Sequence, residues 1–180
     1  MRINIRFAGA GGQGVILSSV LLAKAYGLRE NYNISQTQSY GPEARGGACK
    51  AEVVISDEEI DYMKVDTADV FIAFNQMGYD KYIDTVKQDA IVLVNSTLVE
   101  SDRTKCFKVP ATEVAERMEK PFTVNMIMLG ALTKLLPKIH YPTVEAEIKE
   151  NFSASLAAAN LDAYQKGYEY AAELLAEMKE

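Results

Sequence analysis

Metal-binding and nucleophilic side chains are scarce in this chain: it has one histidine, His140, and two cysteines, Cys49 and Cys106. Neither cysteine belongs to a C-x-x-C pair, so this chain alone lacks the four thiolates of a cubane iron-sulfur cluster and the four ligands of a structural zinc site. His140 sits in Pro137-Lys138-Ile139-His140-Tyr141-Pro142, a stretch with a proline at each end that predicts a solvated loop. With no second histidine and no neighbouring cysteine, a nucleophile-base pair cannot be assembled. Basic residues form no run and the formal net charge is -6, which argues against nucleic acid as a partner. No apolar segment is long and uninterrupted enough to span a bilayer. Met1-Arg2-Ile3-Asn4-Ile5 flows into a strand pattern without a signal peptide's apolar core, so the expected location is the cytoplasm.

What is present suits a globular protein. The chain has 180 residues, 48% hydrophobic and 24% charged, enough to bury a proper core as a single domain over residues 1–180. No repeat, low-complexity segment or linker divides it.

The N-terminal stretch Arg2 to Ala8, then Gly9-Ala10-Gly11-Gly12-Gln13-Gly14, then Val15 to Tyr26 reads as strand, tight turn and helix, the opening half of a βαβ unit. Gly9, Gly11 and Gly14 fall on the G-x-G-x-x-G spacing, and the unpaired N–H groups of the helix start invite an anion, a carboxylate or a partner loop. A plain turn between the first strand and first helix of an α/β domain explains the spacing equally well. A dinucleotide site expects an acidic residue about twenty positions further on to hold a ribose hydroxyl. Asn33-Ile34-Ser35-Gln36-Thr37-Gln38 offers none, which speaks against NAD while leaving phosphate binding open. Gly27 suits a left-handed cap ending the helix.

A strand is expected over Asn33 to Tyr40, leading into Ser39-Tyr40-Gly41-Pro42-Glu43-Ala44-Arg45-Gly46-Gly47. Its glycines permit backbone geometry that other residues resist, and the loop presents Glu43 and Arg45. A hairpin connection with an exposed ion pair is the bland reading, a functional loop the other. Next, Cys49, Ala51, Val53 and Ile55 alternate with Lys50 and Glu52, the pattern of a half-exposed, antiparallel strand with Cys49 in the core. Ala68 to Phe74 and Ala90 to Val94 are continuous apolar runs typical of buried parallel strands. The first ends at Asn75-Gln76, placed where open α/β sheets bind ligands and so expected near the glycine turn. A helix from about Met77 to Val86 separates the two runs, and a further strand over Thr104 to Pro110 and a short helix over Ala111 to Met118 follow.

Phe122 to Leu136 is apolar all round, predicting a helix buried on every side, in which Gly130 allows close approach and Asn125 needs a hydrogen-bond partner. Toward the C-terminus, Leu156, Ala159, Ala163, Gly167, Tyr170 and Leu174 recur at helical steps, predicting a stripe that packs on the sheet, with Tyr164 and Tyr168 left exposed. The expected fold is therefore α/β: a single Rossmann-like domain with a mostly parallel sheet flanked by helices and an antiparallel portion.

Taken in order, Gly9-Ala10-Gly11-Gly12-Gln13-Gly14-Val15, Gln36 to Gly47, Phe74-Asn75-Gln76 and Asn125-Met126-Ile127-Met128-Leu129-Gly130 resemble the gamma subunit of 2-oxoacid:ferredoxin oxidoreductases, over essentially the whole chain. The pattern is most similar to the 2-oxoglutarate type, and pyruvate and branched-chain enzymes share much of it. The resemblance implies a complex that converts a 2-oxo acid, coenzyme A and oxidised ferredoxin to acyl-CoA, carbon dioxide and reduced ferredoxin. It places thiamine diphosphate and magnesium on the alpha and beta subunits and iron-sulfur clusters on the beta and ferredoxin-like delta subunits. This chain then binds no cofactor by itself, is inactive alone with a homodimer left open, and docks on the thiamine-bearing subunits, with coenzyme A as co-substrate. The residues implied for docking or cofactor contact are Gly9, Gly11, Gly12, Gln13, Gly14, Tyr40, Gly41, Pro42, Glu43, Arg45, Gly46, Gly47, Asn75, Gln76 and Asn125. Arg45 is expected to pair with a carboxylate or a coenzyme A phosphate, and Glu43 to orient Arg45; no residue is assigned to catalysis or metal. A stand-alone Rossmann-type nucleotide-binding module is the rival from another class.

Overall fold

The computed structural model of the chain describes residues 1–41 and 47–179. Pro42, Glu43, Arg45 and Gly46 lie outside the described residues.

Six strands, β1 (Arg2–Ala10), β2 (Asn33–Tyr40), β3 (Ala48–Ser56), β4 (Ala68–Ala73), β5 (Val86–Asn95) and β6 (Phe107–Val109), form one sheet in the order β2-β3-β1-β4-β5-β6. β1, β4, β5 and β6 pair in parallel, and β3 runs antiparallel to both β1 and β2. This is the mixed sheet the apolar runs and the alternating segment call for. Because β2 and β1 are both antiparallel to β3, the C-terminal end of β2 falls on the same edge as the ends of the parallel strands. Ala10 pairs with Ala48, and Tyr40 with Cys49, at that edge.

The helices are α1 (Val15–Lys24), α2 (Gln76–Tyr82), α3 (Ala111–Arg117), α4 (Val124–Leu135), α5 (Tyr141–Asn151) and α6 (Ala154–Glu177). One sheet face, with Ile5, Phe7, Val53, Ile72 and Leu93, joins α1, α4, α5 and α6 in the main core. Phe71, Val92 and Val94 on the other face are closed by Tyr79 of α2 and by Val99. α4 is buried from Asn125 to Thr133, as its apolar composition requires.

Several local expectations change. β3 is not half-exposed: held between β1 and β2, it is covered on both faces, and Glu52 is buried against Arg6, whose Nη2 lies 2.8 Å from Glu52 Oε1. The helix after Asn75 ends at Tyr82, a short 3-10 turn follows, and β5 begins at Val86. Likewise the strand expected over Thr104 to Pro110 is only Phe107–Val109. Gly27 does not end α1 in a left-handed cap. The helix continues as a π turn over Ala25–Arg29, Asn31 takes the positive φ of 57°, and the missing Cβ of Gly27 makes room for Ile34.

The buried face of α6 is Ala157, Asn160, Ala163, Tyr164, Gly167 and Ala171, turned slightly from the predicted stripe. It packs chiefly on α4, because two glycines draw the helices together. A Cβ on Gly130 would stand 1.9 Å from the Tyr164 carbonyl oxygen, and one on Gly167 1.9 Å from that of Ile127. That close crossing carries Tyr164 inward, where it is fully buried rather than exposed, its hydroxyl 3.1 Å from Thr133 Oγ1.

Candidate functional site at the sheet edge

β1 runs out at Ala10, and the chain turns through Gly11-Gly12-Gln13-Gly14 into α1. Gln13 folds back on the turn: its Oε1 accepts the Ala10 N–H at 2.7 Å, and its own N–H reaches the Ala10 carbonyl at 3.3 Å. Gly14 caps α1 in the left-handed region, at φ 77°, and a Cβ there would lie 2.4 Å from Asn125 Nδ2. The absence of a side chain at Gly14 therefore lets the start of α4 press against the start of α1. Gly9 is enclosed by Gln13, Val15 and Phe74, whereas Gly11 and Gly12 face open space. The outer glycines serve packing and the middle pair leaves backbone uncovered.

Asn75 caps α2, its side chain accepting the Gly78 N–H at 2.8 Å, and the Phe74 N–H bonds the Ala8 carbonyl, which sets Asn75 beside the glycine turn. Gln76 is turned elsewhere. Its Nε2 donates to Asp80 and to the Glu100 carbonyl, and its Oε1 accepts the Glu100 N–H at 2.7 Å, tying α2 to the segment after β5. Asn95, fully buried, bridges strand ends by donating to the Phe74 carbonyl and Thr112 Oγ1 and accepting the Thr112 N–H. Tyr40 and Gly41 close β2, and Gly47 precedes β3, so the stems of the second glycine-rich loop stand beside the first.

A pocket of about 360 Å³ opens between α1 and α4, lined by Gly12, Gln13, Gly14, Leu17, Thr112, Pro121, Phe122, Val124 and Asn125. No ionisable side chain lines it, and neither helix start carries a side-chain cap. The N–H groups and dipole of α1 give it a positive polarity. Asn125 is only 5% exposed, yet its amide has no hydrogen-bond partner among the described residues. No fully enclosed side-chain polar atom among those residues lacks a partner, so the Asn125 amide reaches the open pocket. Among the described residues no side chain or backbone group occupies the side of the amide that faces the pocket.

Exposed apolar side chains ring the same edge. Leu17 stands in the first turn of α1, Tyr40 at the end of β2, Met77 in the first turn of α2, Leu98 just past β5 and Phe122 just before α4. Sequence reasoning missed Leu17, Leu98, Phe122 and Thr112, because apolar residues in helix-period runs read as core. Pro121 at the helix entry was the available signal for Phe122. Larger clefts, about 720 Å³ beside Arg103 and about 750 Å³ beside Tyr141, lie away from the glycine turn.

The scarce reactive groups are spent elsewhere. Cys49 is buried and Cys106 half-buried, and burial pushes both thiols up, away from the thiolate form. His140 is the residue that starts α5; its N–H donates to the Tyr26 hydroxyl at 2.8 Å and its ring faces Glu30. Among the described residues no group of three or more His, Cys, Asp or Glu side chains is placed to hold a metal ion. No helix among them is long and apolar enough to cross a membrane.

The sequence matches the family described as pyruvate ferredoxin/flavodoxin oxidoreductase over residues 4–170. It is 45% identical to the 2-oxoglutarate synthase subunit KorC of Methanocaldococcus jannaschii, over 97% of this chain and 96% of that one. The fold is similar to the gamma subunit of a keto/oxoacid ferredoxin oxidoreductase from Geobacter sulfurreducens, with a TM-score of 0.86 and 32% identity over 96% of this chain and 98% of that one. It is also similar to a 2-oxoglutarate:ferredoxin oxidoreductase from Magnetococcus marinus solved with 2-oxoglutarate, coenzyme A and succinyl-CoA bound. There the TM-score is 0.86 at 28% identity, over 96% of this chain and 31% of that much longer one.

Proposed function

Since the chain belongs to the pyruvate ferredoxin/flavodoxin oxidoreductase family, we propose that residues 1–180 act as one gamma domain in a cytoplasmic 2-oxoglutarate:ferredoxin oxidoreductase. The complex carries out the CoA-dependent oxidative decarboxylation of 2-oxoglutarate to succinyl-CoA and carbon dioxide, passing two electrons to ferredoxin or a similar acceptor. The observation that carries this reading is the 45% identity to a 2-oxoglutarate synthase subunit along nearly the whole of both chains.

Among the described residues, the side chains at the sheet edge do not suit a resident cofactor. Cys49 and Cys106 cannot ligate a cubane cluster, and the sheet edge offers amides, hydroxyls and backbone in place of the acids that hold magnesium. Thiamine diphosphate, magnesium and the iron-sulfur clusters belong on alpha, beta and ferredoxin-like delta subunits. The part left to this chain is to dock on the thiamine-bearing subunits through the sheet edge and to help enclose coenzyme A. The open backbone of Gly11 and Gly12, the apolar ring around it and the adjacent stems of the Tyr40 to Gly47 loop support that role.

The test is purification of the tagged chain with its complex, followed by CoA-dependent dye reduction with 2-oxoglutarate, pyruvate and 2-oxoisovalerate in parallel. Turnover confined to 2-oxoglutarate is the expected result. Turnover confined to pyruvate or to the branched-chain acid would reassign the substrate, and a chain that assembles with no larger subunit would remove the docking role.

A further inference from the structure

We propose that the pocket at Asn125 receives the carboxylate of an acidic side chain carried on a loop of the thiamine-bearing partner subunit, an inference that rests on the docking role above. The amides of this edge differ in one respect. Asn75, Gln76, Asn95 and Gln13 are each engaged by neighbouring backbone or side chains, while the 95% buried Asn125 points its amide into the pocket without a partner among the described residues. An amide that opens on a pocket takes its hydrogen-bond partner from water or from the group that docks there.

The occupant's chemistry follows from the lining. The start of α1 contributes unpaired N–H groups and the positive end of its dipole, no acidic side chain lines the pocket, and the amide of Asn125 supplies a donor. Such a set favours an oxygen acceptor bearing negative charge. The source follows from the mouth, where Leu17 and Phe122 stand 38% and 58% exposed. A free organic acid would leave both in water. A protein loop covers them while delivering the carboxylate, and it continues the apolar edge of Met77, Leu98 and Tyr40.

Asn125→Asp keeps the side-chain size and puts a negative charge into the first turn of α4, where the helix dipole favours it. The variant chain should melt at or above the wild-type temperature, yet its retention in the complex should fall at least about ten-fold. Retention is read by affinity capture of the tagged chain co-produced with its complex, with the captured subunits identified by mass spectrometry and their thiamine diphosphate measured. Normal retention of a well-folded Asn125→Asp would overturn the proposal. Should that variant melt early, the surface pair Leu17→Glu and Leu17→Lys decides: a carboxylate in the pocket makes the glutamate variant lose retention far more than the lysine variant, and equal retention of the two overturns it. Failure of the wild-type chain to capture any thiamine-bearing subunit would instead remove the docking role on which the inference rests.

Discussion

Arg6 and Glu52 show how one pair of residues stabilises the strand order. The guanidinium is 3% and the carboxylate 7% exposed, and Arg6 also donates to the Val65 carbonyl and to Thr85, while Lys50 adds a second cation at 3.0 Å from Glu52. Removing one partner leaves the other charge buried and uncompensated, so Glu52→Ala should cost about 3–5 kcal/mol, measured as the loss of unfolding free energy in urea. Glu30 acts at the surface. The Thr143 hydroxyl bonded to it, and more weakly His140, hold its carboxyl below the usual carboxylate range against a burial that pushes it upward. Its folded-state pKa is depressed, so the unfolded chain takes up the proton first. The stabilisation is complete above the ordinary carboxylate value and is lost as pH falls through the lower folded value. Urea midpoints of wild type and Glu30→Gln should therefore differ at neutral pH and converge in acid.

Between elements, the α4–α6 crossing is the most demanding contact, because each helix presents a glycine to the other's backbone. Backbone cannot rotate aside as a side chain does, so a methyl group at Gly167 must push the helices apart and uncover Tyr164, Thr133 and their neighbours. Gly167→Ala should destabilise the chain by about 1–3 kcal/mol or more, against the small gain that the same change brings in an exposed helix. A thermal melt compared with that of an exposed control such as Lys166→Ala separates the two effects. The same reasoning explains why α2 begins where it does: a Cβ at Gly78 would fall 2.7 Å from the Gly9 nitrogen, so the helix start lies directly on β1.

Across the molecule, one edge brings together open glycine backbone at Gly11 and Gly12, an amide without a partner among the described residues, and the exposed side chains of Leu17, Tyr40, Met77, Leu98 and Phe122. The stems of the loop carrying Arg45 join that edge, so its effect belongs to the assembled complex. Arg45→Ala should leave the melting temperature of the isolated chain unchanged while weakening assembly or raising the coenzyme A concentration needed for half-maximal turnover several-fold, as loss of a charge-assisted contact does. Unaltered assembly and turnover across coenzyme A concentrations would make Arg45 an ordinary surface charge.

By itself the sequence determined the element order, the mixed sheet and the buried α4. Each of these is written in local periodicity: continuous apolar runs for β4 and β5, alternation for β3, an all-round apolar segment for α4. The turn through Gly9 to Gly14 was likewise legible, because tight turns demand particular residues. Only the tertiary structure decided that Glu52 is buried, that Tyr164 turns inward and that Gln76 is already spent on Glu100. It also decided that Asn125, more than a hundred residues along the chain, sits on Gly14 with its amide facing a pocket. Those facts depend on which element lies against which and at what distance. Periodicity reports the face a residue shares with its own element, while partners and open space are properties of the packed chain.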